Sequence, residues 1–223
     1  MNDLLKISNL NLEIAGKRIL EDVNFNLGRK EVVALVGANG SGKSSFLRAL
    51  MGFEGYYPKS GNMMIGGKEI GNLSIDERVG LGLSIMHQNP VKIRGIKLFE
   101  ILKNMCYDED RIDRCAEELG MTGFLDRELN MNLSGGEMKR SELLQLFVQN
   151  KEILLLDEPD SGVDSENLRI MGVALKKHLE ESGKSALIIT HTGRILKYLD
   201  VNKIYSLDNK KIREIGKDDA KFN

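Results

Sequence analysis

Apolar residues change their spacing several times along the chain. Near the start they alternate with polar ones (Leu5, Ile7, Leu10, Leu12, Ile14, then Ile19, Val23, Phe25, Leu27), which suits short antiparallel strands with one wet face. Val32–Val36 is instead a continuous apolar run ending at Gly37, as expected of a central strand covered on both faces. A helix from Lys43 to about Met51 follows. The stretch 61–70 reads as another short strand and turn, and 83–86 as a buried strand that stops at His87 and Gln88.

From 95 to 129 the spacing becomes three and four residues: Leu98, Ile101, Leu102 and Met105, then Ile112, Cys115, Ala116 and Leu119. That is the pattern of a helical insertion. Beyond it the chain reads as helix 135–148, strand 153–156, helix 165–181 and strand 186–189, an alternation that predicts a parallel, doubly wound α/β sheet. No repeat or Pro/Gly/Ser linker divides the 223 residues, so one domain is expected, with the charged tail after Gly216 as a frayed end.

Composition narrows the partners. Thirty-two Lys+Arg against 33 Asp+Glu leave a net charge of -1, so no global cationic field recruits nucleic acid or acidic lipid. The absence of Trp and an aromatic content of 5% argue against base-stacking platforms. No segment approaches the roughly 18 apolar residues of a membrane span, and the start lacks a basic region followed by an apolar run; a soluble, cytoplasmic protein is expected. Cys106 and Cys115 have no second pair or nearby histidine to complete a metal-ligand set.

The run 32–36 opens into Gly37-Ala38-Asn39-Gly40-Ser41-Gly42-Lys43-Ser44, which matches G-x-x-x-x-G-K-[ST] between a buried strand and a helix start. The glycines let backbone N–H groups close around phosphates, and the helix N-terminus adds positive potential. Lys43 is expected at the β and γ phosphates, Ser44 at Mg²⁺, and Ser45 at the α-phosphate. The strand 153–156 delivers Asp157 and Glu158 at its carboxyl end, the edge where doubly wound sheets bind ligands. Asp157 can hold Mg²⁺ through its water shell, and Glu158 can polarise the water attacking the γ-phosphate; alone, such a pair reads more often as a solvated turn. Ser134, Gly135, Gly136 and Glu137 form a second anion site at a helix start, or, with no ligand, an N-cap and capping box. His191, after the apolar 187–189, reads alone as a capping or core histidine. His87 and His178 receive no role.

GANGSGKS, LSGGE, ILLLDEP, Ser161-Gly162-Val163-Asp164 and His191 together, and in this order, resemble the ATPase subunits of ABC proteins over nearly the whole chain. The resemblance implies a P-loop fold of ABC type, with a mainly parallel core sheet, an antiparallel β subdomain and a helical subdomain at about 91–139 inserted between 1–90 and 140–223. It implies ATP and Mg²⁺ as ligands. It gives Gln88 contact with Mg²⁺ and the attacking water, makes His191 the γ-phosphate sensor, and adds Asp164 to the nucleotide-binding set. It also implies a head-to-tail homodimer, in which LSGGE of one protomer closes on the nucleotide held by the phosphate loop of the other.

Three stretches, 88–95, 157–164 and 190–196, are similar to the SufC ATPases of the SUF iron-sulfur cluster assembly system, with Asp160 where transporter subunits commonly carry a small or apolar residue or threonine. That likeness implies a SufB/SufD-like scaffold protein as partner. The sequence departs from it at Asn89 and Thr192, where an aromatic is usual, and Ile14-Ala15-Gly16-Lys17 supplies no aromatic for an adenine. The energy-coupling subunit of a membrane importer and a nucleotide-binding module without turnover are the competing expectations.

Overall fold

The computed structural model describes residues 3–216 and 219, so the tail expected to fray lies, Asp219 apart, outside the described residues. The chain runs β1 (Asp3–Ile14), β2 (Lys17–Gly28), β3 (Val32–Val36), α1 (Lys43–Met51), β4 (Ser60–Ile65), β5 (Lys68–Glu69), α2 (Ile75–Gly80) and β6 (Leu83–Met86). It continues through α3 (Leu98–Met105), α4 (Glu109–Glu118), α5 (Gly135–Gln149), β7 (Ile153–Asp157), α6 (Ser165–Ser182), β8 (Ser185–Ile189), β9 (Lys203–Asp208) and β10 (Lys211–Ile215), with 3-10 turns at Thr122–Phe124 and Ile195–Tyr198.

One sheet is antiparallel, in the order β2-β1-β4-β5. The other has the order β10-β9-β3-β8-β7-β6; its strands are parallel except for the edge strand β10. Alternation along the buried strands divides the interior in two. Val33, Leu35, Leu155, Leu187 and Ile189 face α1 and the antiparallel sheet, in one apolar cluster with Phe46, Leu47 and Leu50. Ala34, Val36, Leu154, Leu156 and Ile188 join α5 and α6 in a second cluster on the other face. A sheet covered on both faces needs both residue sets apolar, which explains the uninterrupted runs.

The entry strands are not short: β1 and β2 each span 12 residues. Asn9 and Asp22 take left-handed backbone (φ 51° and 49°), and register shifts there let long strands bend around the core. The two periodic groups of the helical region are α3 and α4, followed by a 3-10 turn. Helix α2 goes unpredicted although Ser74 and Glu77 form a full capping box. Its Arg78, fully buried, donates to Ala49 O (2.7 Å) and Leu50 O (2.8 Å), adding to the bond that Ala49 O accepts from Gly52 N (3.2 Å) at the end of α1.

Candidate nucleotide site

The carboxyl ends of β3, β6, β7 and β8 converge on a cavity of about 410 Å³, lined by residues of the loop 39–45 together with Gln88, Glu158, Ser161, His191 and Ile19. Helix α1 begins at Gly42 with no side-chain cap and no acid in its first turn, so its free N–H groups and positive end face the cavity. An added Cβ at Gly37 would lie 2.6 Å from Leu207 O, so only glycine lets the loop leave β3 this closely. Lys43 is 4% exposed; its Nζ donates to Gly37 O (2.8 Å) and Ala38 O (2.9 Å). Burial pulls the ammonium below its ordinary pKa, against the opposing charges of Glu158 and Asp157. Ser41 Oγ is buried with no hydrogen-bond partner among the described residues.

Ser44 Oγ donates to Asp157 Oδ1 at 3.0 Å. Burial raises the Asp157 carboxyl above its usual range, and the Ser44 hydroxyl opposes that shift. Glu158, one residue past β7, lies between Gln88, whose Nε2 donates to its Oε2 at 2.7 Å, and His191, whose Nδ1 is 3.3 Å from its Oε1. Proximity is all that links the histidine: Nδ1 makes no hydrogen bond of good geometry among the described residues. The Glu158 backbone is left-handed (φ 50°), a cost on the order of 1 kcal/mol or more for a residue with a Cβ. Its N–H donates to Ile189 O at 3.0 Å, and its carbonyl accepts from Lys139 Nζ at 3.2 Å.

The phosphate loop, Asp157, Glu158, Gln88 and His191 thus meet, whereas the remaining expected residues lie elsewhere. Ser134 caps α5 by accepting from Glu137 N (3.2 Å) while Glu137 accepts from Ser134 N (2.7 Å), and that backbone N–H holds the Glu137 carboxyl below its usual range. Gly135 packs near Gly162 O, and a side chain on Gly136 would collide with Asn167. Asp164 caps α6, accepting from Glu166 N and Asn167 N, each at 3.0 Å. None of these five lines the cavity. His87 sits at the end of β6, edge-on to Phe53, and burial lowers its pKa; His178 is buried in α6. Both cysteines are free.

Two groups beside the site are buried in a way the sequence did not show. Lys139 on α5 donates to Gln88 O (2.7 Å) as well as Glu158 O, tying the helical arm to the strand ends; a lysine on a helix ordinarily reads as a solvated face. Asp160 is fully buried among threonines.

A phosphate loop between β3 and α1, with two carboxylates ending β7 across one intervening parallel strand, defines a P-loop NTPase. The ABC transporter family model matches residues 20–161. The chain belongs to that family and is an ATP-binding ATPase subunit of it. It is 33% identical over 229 residues to a probable ATP-dependent transporter, ycf16, of Trieres chinensis (96% of this chain, 91% of the relative). It is 37% identical over 218 residues to a probable ABC transporter ATP-binding protein of Streptococcus pyogenes (91% and 84%). In fold it resembles a dimeric ATP-binding cassette in a post-hydrolysis state bound to ADP and Pi, with TM-score 0.81, 23% identity and coverage of 95% and 97%. No described helix is long and apolar enough to cross a membrane.

Proposed function

We propose that the chain is the SufC-like ATPase of a soluble iron-sulfur cluster assembly scaffold, and that it pairs head to tail with a second copy on Mg²⁺-ATP. One observation carries the pairing. The sequence offers the phosphate loop and the start of α5 as two anion sites on one chain, yet Ser134 and Gly135 do not line the cavity that holds Lys43. A two-fold pair brings each start of α5 to the other protomer's phosphate loop and completes two sites at once. That a cassette of like fold is dimeric supports pairing.

ATP and Mg²⁺ suit the residues present. Phosphate oxygens supply the partner that Ser41 Oγ lacks, and the Ser44 hydroxyl and Asp157 carboxylate are the hard oxygen donors Mg²⁺ takes. Held by these donors, Mg²⁺ would supply positive charge against the charge that develops on the phosphates. Glu158 holds and polarises the attacking water, Gln88 orients it, and His191 turns from Glu158 toward the γ-phosphate. The helical arm, 91–139, carries the resulting motion to the partner, a SufB/SufD-like scaffold on this reading. The stretches 88–95, 157–164 and 190–196 support that partner. A membrane importer is the second reading, favoured by the transporter names of the relatives and by an apolar groove of about 430 Å³ that includes Phe53, Ile75, Val79, Val91 and Ile101. Recovery of the chain with a soluble scaffold from detergent-free lysate supports the first reading; recovery only with a detergent-extracted permease overturns it.

Light scattering on Glu158→Gln tests the pairing. The variant keeps the side chain's size and binds ATP without hydrolysing it at more than about a hundredth of the normal rate. Mass doubles with Mg²⁺-ATP and stays monomeric with ADP; a mass independent of ATP overturns the proposal.

A further inference from the structure

Asp160 has no exposed surface and no ion pair among the described residues, yet its carboxylate is heavily bonded. Thr190 Oγ1 lies 2.9 and 2.8 Å from its two oxygens, Thr192 Oγ1 donates to Oδ2 at 2.6 Å, and Ile195 N donates to the same oxygen at 3.3 Å. Asp160 stands in the loop after β7, two residues beyond Glu158; Thr190, Thr192 and Ile195 belong to the segment after β8. The bonded threonines flank His191 on either side. A second tie runs in parallel, from Arg194 Nη1 to Val163 O at 2.8 Å. Thr190 Oγ1 also accepts from Gly193 N at 2.9 Å, so the turn that carries the histidine is closed upon the carboxylate.

We propose that Asp160 is a positioning residue for ATP hydrolysis: it fastens the His191 turn to the Glu158 loop, so that the two reacting-centre groups are placed, and move, as one unit. Fastening is needed because Glu158 and His191 are close, at 3.3 Å, but do not hydrogen-bond each other, so nothing in their own contact fixes the distance. A carboxylate is an acceptor only, and its bonds to hydroxyl and amide donors are among the stronger kind. Burying it without a cation is costly unless such donors surround it, and here they all come from the turn bearing His191. The inference deepens the ATPase reading and rests on the roles given there to His191 and Glu158.

Thr192→Val keeps the side chain's shape and deletes one donor; Thr192→Ser keeps the donor. In the full-length chain, phosphate release with Thr192→Val falls about 10- to 100-fold, the scale on which misplacing a catalytic group by about 1 Å acts, while KM for ATP changes by less than about twofold. Thr192→Ser recovers most of the loss. Combined with His191→Ala, Thr192→Val adds less than about a twofold loss, because the group it positions is gone. Losses that multiply in the double variant overturn the proposal, as does a Thr192→Val enzyme with normal turnover and unchanged amide exchange in 159–164 and 192–195. If His191→Ala proves harmless, the role given to that histidine fails separately. The fastening is then decided by exchange: joint loss of protection in the two segments upholds it, and protection unchanged in either overturns it.

Discussion

The two ends of the six-stranded sheet are built from similar residues to opposite effect. At the amino ends several polar groups of the described residues pair with one another. Val32 N donates to Asn202 Oδ1 (2.7 Å), Ser185 Oγ to Gly28 O (2.9 Å), and Glu31 accepts from both Gly28 N (2.7 Å) and Lys203 Nζ (3.1 Å). At the carboxyl ends Ser41 Oγ and His191 Nδ1 are buried without a hydrogen-bond partner among the described residues, Glu158 carries left-handed backbone, and α1 starts without a side-chain cap. Folding alone leaves few buried polar groups unpaired. Two of them beside an uncapped helix start and a left-handed carboxylate residue are what the proposed nucleotide site would leave open, and the amino ends show the same sheet with its polar groups paired.

Lys43→Ala is the strongest way to break this contrast. It removes the one buried ammonium of the phosphate loop, whose bonds to Gly37 O and Ala38 O position its charge for β and γ phosphates. Losing charge-assisted bonds of about 1.5–3 kcal/mol each weakens ATP binding at least about 10- to 100-fold, and turnover falls further because the same charge acts in the transition state. Nucleotide titration and phosphate release check both. An unchanged titration would place the phosphates elsewhere and leave the unpaired groups of the carboxyl end unexplained.

Much of this contrast is legible in the sequence, because local chemistry enforces it. The run 32–36, the glycine loop and the start of α1 are each dictated by neighbouring residues, and the reading places β3 and α1 at the bounds observed. What escapes depends on distant partners. Lys139 reads as a solvated residue until α5 packs its Nζ against the carbonyls of Gln88 and Glu158. Asp160 is conspicuous as a residue, but its bonds cross to the segment after β8, about 30 positions away. The hairpin of β9 and β10 is missed because Asn209 and Lys210 turn it with positive φ (47° and 65°) without the Asn-Gly signature that marks such turns.

His178 sharpens the comparison by being one of the unpaired groups away from the site. It lies in the second half of α6, stacked on Phe147 with ring centroids 4.0 Å apart, and its Nε2 is buried without a partner among the described residues, far along the helix from the phosphate loop. Burial pushes its pKa down from 6.5 to about 4. The folded state therefore binds fewer protons than the unfolded one between those values, and stability falls as pH drops from about 6.5 toward 4, with no effect above 6.5. The full penalty is about 3 kcal/mol. Urea unfolding from pH 7.5 down to 5 should steepen this way in the wild type and flatten in His178→Phe, with turnover at pH 7.5 unchanged. Equal slopes would mean that the imidazole is not held neutral. Here an unpaired group marks a liability in acid rather than a ligand site, which is why the argument for the carboxyl ends needs several such groups together.

The smallest effect is expected at the amino ends, from Lys203→Met. Lys203 and Glu31 pair at 3.1 Å with side chains 26% and 25% exposed, so the attraction is weakened by water and offset by the entropy of holding two long side chains. Methionine keeps the apolar stem that lies along the strand. Glu31 keeps its bond from Gly28 N at 2.7 Å, so no buried charge is left bare. The loss is then about 0.2–1 kcal/mol, and it shrinks toward zero near 1 M salt, where screening reaches about 3 Å. Turnover is unchanged, because β9 carries this lysine at the end of the sheet opposite the nucleotide. Unfolding with and without salt, and phosphate release at saturating ATP, measure both parts. A loss of several kcal/mol, or slower hydrolysis, would show that the amino ends also take part in function, and the contrast between the two ends would no longer hold.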